Sequence, residues 1–181
     1  MQLLILLASS SQYPFAQGIF TGILLLIVIF IFRIIGKGMS KAGDAILIST
    51  GDVNVLLNSA SKKIKEGNIE DSIKLYNKVL ELEPLNVTAL ISMGNISFAN
   101  EDYMNAERFY QKLYDNYRDD IESNEQSIKI NKEQLCLSFY KLGYIFHQQN
   151  NIAQAKKLKK LAFEHCDLTK KQASVIKKYN Y

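Results

Sequence analysis

The chain is short of the groups that most reactions need. Its 181 residues include only two cysteines and two histidines, too few for a disulfide framework. It contains no Gly-rich phosphate loop and no nucleophile elbow, which removes the sequence grounds for nucleotide binding and for serine-type hydrolysis. A metal centre fares no better. His147 stands eleven residues along one expected helix from Cys136, about 16 Å away at ~1.5 Å per residue, while His165 and Cys166 belong near the Cys136 end. Two or three ligands at most could converge, whereas zinc asks for four or an open three. No catalytic residue, metal, cofactor or small-molecule substrate is therefore expected.

Charge of one sign is scarce as well. Lys and Arg number 22 against 18 Asp and Glu, a net charge of +4, and the lysines are scattered without interleaved aromatics, which argues against nucleic acid as the partner. Arginine is reduced to three residues beside nineteen lysines, and Ile and Asn are frequent. That bias reads as an A+T-rich genome, such as an organelle's, rather than as physics. Cys136 and Cys166 fall at opposite sequence ends of one expected helical hairpin, so antiparallel packing leaves a bridge between them geometrically open. The reading adopted is two small buried or half-buried thiols in a reducing compartment.

What the chain does have is placed unevenly. Much of its 48% hydrophobic content lies in the first 35 residues. Residues 19–35 are broken only by Thr21, Gly22 and Arg33, and extended back through Phe15 they form a run (15–35) long enough to cross ~30 Å of hydrocarbon as a helix. Residues 23–32 are apolar on every face, and a small helical domain has nowhere to bury such a rod, so a transmembrane anchor is expected. Residues 3–7 look like the start of a signal h-region but are too few and follow no basic residue, which leaves residues 1–14 as a short translocated N-terminus. Residues 1–18 contain no Lys or Arg, whereas Arg33, Lys37 and Lys41 follow the span. The positive-inside rule then keeps the remainder of the chain in the compartment where it was made, with Arg33 snorkelling to the headgroups. Residues 36–52 read as a glycine-interrupted tether, closed by Asp52 as a helix N-cap.

From residue 53 the sequence repeats itself. Residues 53–86 set above 87–120 match at a period of 34: Leu56 with Leu90, Ala60 with Gly94, Ser72 with Ala106, Tyr76 with Tyr110, Val79 with Leu113. A third copy over 136–167 places Phe139, Gly143, Ile152, Ala155 and Ala162 in the same phases. Small residues recur at position 8 (Ala60, Gly94, Gly143) and position 20 (Ser72, Ala106, Ala155), and an aromatic stands at position 24 in two copies; Lys159 replaces it in the third. Residues 121–135 are extra. They contain no Gly or Pro, Ser123 with Gln126 resembles a capping box, and a single helix from about 124 to 148 is expected there; the acidic run 115–125 before it is expected to be solvated. Residues 168–181 carry Leu168, Gln172, Val175, Ile176 and Tyr179 along one side, with Thr169 as N-cap. They read as a capping helix over the last apolar face, and Lys170, Lys171, Lys177 and Lys178 as its wet side.

These residues and this period resemble the tetratricopeptide (TPR) family. The resemblance implies an all-α fold: an N-terminal transmembrane helix, then a three-repeat TPR solenoid with a C-terminal capping helix. Each repeat would be an antiparallel helix pair in which position 8 faces position 20, the pairs stacking into a right-handed superhelix with a concave groove. In TPR domains that groove is lined from helix A. Carried onto this chain, the lining includes Leu57, Ile91, Asn95, Phe98, Tyr140, Tyr144 and His147, a mixture of apolar, aromatic and amide groups suited to an extended or helical protein segment. An alternative is that Leu57 and Ile91 pack against a terminal helix occupying the groove. TPR co-chaperones that grip a C-terminal carboxylate use basic and amide residues where this chain has Leu57, Ser61, Ser92, Leu137 and Lys141. Four of those groups are missing, so that mode is not expected.

The whole architecture is similar to that of the thylakoid-anchored TPR proteins of cyanobacteria and red-lineage plastids that assist photosystem I assembly. The similarity implies a non-catalytic scaffold for protein subunits or assembly intermediates of a membrane complex, single-pass in the plastid thylakoid membrane, with its repeats on the cytoplasmic or stromal side. The runner-up is an N-anchored TPR receptor for protein targeting or import at an organelle membrane.

Overall fold

The computed structural model describes residues 23–31, 33, 49, 51–122, 132–165 and 173–181. They fall into two units, Met1–Thr50 and Gly51–Tyr181. In the first, residues 23–31 and Arg33 are helical and every described side chain there is exposed; Leu24 and Phe30 are 63% and 64% accessible. Among the described residues no helix is long and apolar enough to cross a membrane. The remainder of the span expected at 15–35, the flanking Lys37 and Lys41, and most of the tether lie outside the described residues.

The second unit is a series of helices: α1 (Val53–Lys65), α2 (Ile69–Leu82), α3 (Val87–Ala99), α4 (Tyr103–Glu122), α5 (Lys132–Gln148), α6 (Ile152–Glu164) and α7 (Ala173–Lys178), with no strand among the described residues. α1 packs on α2, α3 on α4 and α5 on α6, and the hairpins join through α2–α3, α4–α5 and α3–α5 contacts. This is an all-helical arrangement of TPR-like repeats, consistent with a solenoid.

Local chemistry fixes the ends of each hairpin. Asp52 caps α1, its carboxylate accepting from the Asn54 and Val55 N–H groups at 2.9 and 3.2 Å; Asn86 caps α3 through the Ala89 N–H at 3.0 Å. Such caps satisfy N–H groups that the helix itself leaves orphaned. Helix A ends alike in all three repeats. Gly67, Glu101 and Asn150 share position 15 and take φ of +79°, +60° and +62°, and the next residue's N–H reaches back five residues: Asn68 to Lys63, Asp102 to Ser97, Asn151 to Phe146, at 2.8–2.9 Å. This left-handed close is the Schellman pattern, which turns the chain sharply into helix B.

Between the helices sits a continuous apolar core. Leu56, Leu90 and Phe139, at position 4 of their repeats, are 0% exposed. The position-27 residues Val79, Leu113 and Ala162 and the position-20 residues Ser72, Ala106 and Ala155 are buried with them. Each buried Leu or Phe stabilises the stack by about 1.5–3 kcal/mol. α4 runs on to Glu122, with Ile121 fully buried, so the acidic stretch expected to be solvated is helical as far as it is described and anchors one apolar side chain in the core. Residues 123–131, including the Ser123/Gln126 box, lie outside the described residues.

One expectation is corrected outright. Cys136 is fully buried near the start of α5 and is disulfide-bonded, so it is not a reduced thiol. Cys166, the only other cysteine in the sequence, lies outside the described residues.

Candidate partner-binding groove

One contact recurs in the first two repeats. Tyr76 and Tyr110, at position 24, reach back to position 9 of their own repeats. The Tyr76 hydroxyl lies 3.2 Å from Ser61 Oγ, and the Tyr110 hydroxyl donates to Asn95 Oδ1 at 2.8 Å. Both rings are all but fully buried. At Gly94 the ring stands so close that a Cβ there would lie 2.7 Å from Tyr110 Cδ1. The small residue at position 8 was expected to make room for position 20. In the second repeat it makes room for the phenol at position 24, because a ring this large laid across helix A leaves no space for a side chain beneath it.

In the third repeat position 24 is Lys159, and the phenol comes from elsewhere. The chain leaves α7 and lays Tyr179–Tyr181 along the side of α5. A Cβ on Gly143 would lie 2.9 Å from Tyr181 Cζ and 3.2 Å from the Ala155 carbonyl oxygen. The Tyr181 hydroxyl donates to the Tyr140 carbonyl at 3.0 Å. Conversely, the Tyr140 hydroxyl donates to the carbonyls of Tyr179 and Ile176 at 3.1 and 3.3 Å. Lys159 Nζ donates to Asn180 Oδ1 at 3.2 Å and to the Tyr181 carbonyl, and lies 4.9 Å above the Tyr181 ring. Tyr179 meanwhile enters an edge-to-face cluster with Phe98 at 4.9 Å and Tyr144 at 5.0 Å, which Tyr103 closes at 5.5 Å from Phe98. Such pairs add about 0.5–1.5 kcal/mol each beyond area burial.

The residues singled out from the sequence are thus mostly engaged within the molecule. Phe98, Tyr140, Tyr144 and His147 all face the tail, His147 with its ring 5.6 Å from that of Tyr181. The alternative of a terminal segment in the groove describes this region, with the contacts shifted toward repeats 2 and 3. Leu57 is half-buried and Ile91 is buried. The side expected to be wet at Lys177 and Lys178 is exposed, while Ile176, Tyr179 and Tyr181 are half-buried. The tail leaves part of the last repeat's surface uncovered: Phe163 remains 45% accessible. Of the flanking basic residues, Arg33 is helical.

Asn95 holds a special place. Its Oδ1 accepts from the Tyr110 hydroxyl of its own repeat and also from Lys141 Nζ of the next, at 2.6 Å. Lys141 lies 5.4 Å over the Phe98 ring and pairs with no carboxylate among the described residues. Burial of the ammonium without a counter-charge lowers its pKa to about 8. Burial acts on the Tyr140, Tyr181 and Tyr110 hydroxyls in the opposite sense and raises their pKa values. The sequence puts Tyr179 on the apolar side of the tail and marks Lys159 as a departure from the repeat, but assigns neither of them, nor Tyr181, to the slot at Gly143. The signal was Gly143: the third repeat keeps an empty position 8 after losing the aromatic that fills it elsewhere. Among the described residues no three His, Cys, Asp or Glu side chains converge to hold a metal ion.

The second unit is thus a stack of TPR-like helical hairpins. No protein-family model matches the sequence, and no curated protein matches it. Solved structures do. The chain is similar to the N-terminal domain of stress-induced protein-1 (STI-1) from C. elegans, at a TM-score of 0.51 and 15% identity, over 75% of this chain and 98% of that one. At that identity the likeness is one of fold.

Proposed function

We propose that this protein is a membrane-anchored, non-catalytic scaffold whose groove holds protein subunits during assembly of a membrane complex, with photosystem I the most concrete client. The observation that carries the scaffold reading is the run of aromatic and amide side chains along α3 and α5, already able to grip a peptide backbone through the Tyr140 hydroxyl. The anchor rests on the uninterrupted apolar residues 23–32 and their basic flank. The choice of client rests on the similarity of the whole architecture to the thylakoid TPR assembly proteins. Anchoring confines the groove to a thin layer beside the bilayer and so raises its effective concentration toward membrane clients.

The test is a detergent pull-down on the tagged full chain, with co-purifying proteins identified by mass spectrometry. Photosystem I subunits should be retained, and Tyr144→Ala should reduce their recovery while leaving helix content unchanged. Recovery of precursor proteins together with translocase components would instead establish an import receptor and overturn the assembly reading.

A further inference from the structure

The tail does in the third repeat what an internal side chain does in the first two. Position 24 supplies a phenol to helix A in repeats 1 and 2; in repeat 3 it is Lys159, and Tyr181 brings the ring to Gly143 from the end of the described chain. An internal tyrosine is covalently committed to its slot, whereas a tail is held only by its contacts. Those contacts are of a kind that any peptide could make. Tyr140 reads backbone carbonyls, Lys159 reads a carbonyl and one amide side chain, and the Phe98–Tyr103–Tyr144 cluster takes one flat ring. The only demand on sequence is two aromatic rings two residues apart, the second with a hydroxyl that reaches the Tyr140 carbonyl.

We propose that the slot formed by Phe98, Tyr140, Gly143, Tyr144 and Lys159 is a receptor for a Tyr-x-Tyr segment of a partner protein, closed in the free protein by its own Tyr179-Asn180-Tyr181. This deepens the scaffold reading and rests on it for the existence of a partner. The tail is a competitor fixed at high local concentration, so a partner binds with an affinity reduced by the fraction of molecules whose slot is vacant. The arrangement makes the groove selective: a segment without the paired rings cannot displace a resident that has them.

The probe is a fluorescein-labelled peptide of residues 173–181, titrated by anisotropy against the full-length protein in detergent. Y179A/Y181A, which empties the slot, should bind it about 10- to 100-fold more tightly than wild type, the factor expected for a resident that leaves 1–10% of slots vacant. Y179F keeps both rings and the Tyr181 hydroxyl, and should stay within a few-fold of wild type (~3-fold or less). K159Y gives repeat 3 an internal phenol. It should expel the tail, seen as faster tryptic cleavage after the exposed Lys177 and Lys178, and yet refuse the peptide. A peptide with both tyrosines changed to alanine should not compete. Equal binding to wild type and Y179A/Y181A, no binding to Y179A/Y181A at millimolar peptide with its circular dichroism unchanged, or competition by the alanine peptide would each overturn the proposal. Peptide binding as described, with no photosystem I subunit retained in the pull-down, would leave the slot standing and remove only the client.

Discussion

Repeats 1 and 2 are finished from within, whereas repeat 3 is finished by a segment that folds back from beyond it. In the first two, helix B carries the tyrosine that covers helix A, and the hairpin is a closed packing unit. In the third, Lys159 leaves helix A uncovered at Gly143, and Tyr181 is borrowed to cover it. The same geometric need is met in one case by a residue with no freedom to leave and in the other by one that can. The difference teaches where a helical-repeat protein can place a replaceable part without risking its core.

The largest test of that contrast removes one phenol from each region. Tyr110→Ala should cost about 3–5 kcal/mol in urea unfolding, the usual loss for truncating a large buried aromatic. Tyr181→Ala should cost much less, because only the tail comes free. Next in size is the charge between the two regions. The folded pKa of Lys141 is about 8, below its ordinary 10.5, so from pH 8 to 10 the unfolded chain binds more protons than the folded one. Stability should therefore rise across that interval by about 2–3 kcal/mol. Above pH 10 it should fall again, since the buried tyrosines keep protons that an unfolded chain gives up. Lys141→Met should abolish the rise, measured by chemical denaturation at each pH.

Glycine substitutions sharpen the comparison. Gly94→Ala drives a methyl into a ring that cannot move and should cost about 1–3 kcal/mol. Gly143→Ala meets the Tyr181 ring, which can swing away, and the Ala155 carbonyl at 3.2 Å, so it should cost less than Gly94→Ala while speeding tryptic cleavage after Lys177 and Lys178. The smallest effect concerns the turns. Glu101 adopts the left-handed conformation that Gly67 supplies in repeat 1, so Glu101→Gly should stabilise the fold by about 0.5–1 kcal/mol in the same assay.

The repeats were legible because each depends on side-chain size at a fixed spacing, which sequence records directly. Leu56 and Leu90 fall in the core where the period of 34 puts them, Phe139 where the third copy, displaced by 15 residues, puts it, and Asp52 caps α1 as its position suggested. The small position-8 residue meets position 20 at Gly143, where a Cβ would lie 3.2 Å from the Ala155 carbonyl, while the ring of Tyr110 at position 24 lies nearest Gly94. The period says only that positions recur together, not which pairs meet across a helix crossing. The tail was expected to cover the last apolar face as a helix, and it does so by other means. Its apolar residues were read at helical spacing, but its grip comes from Tyr179–Tyr181, where the chain has left the helix and hydrophobic periodicity carries no information. The oxidised state of Cys136 was not legible, because the position of a cysteine in a sequence does not record the redox conditions around it.

The oxygen of Asn95 is shared between Tyr110 and Lys141, so one atom links two successive hairpins. Its loss would strip the acceptor from a buried phenol and a buried ammonium together, so damage at this single position is felt in both repeats.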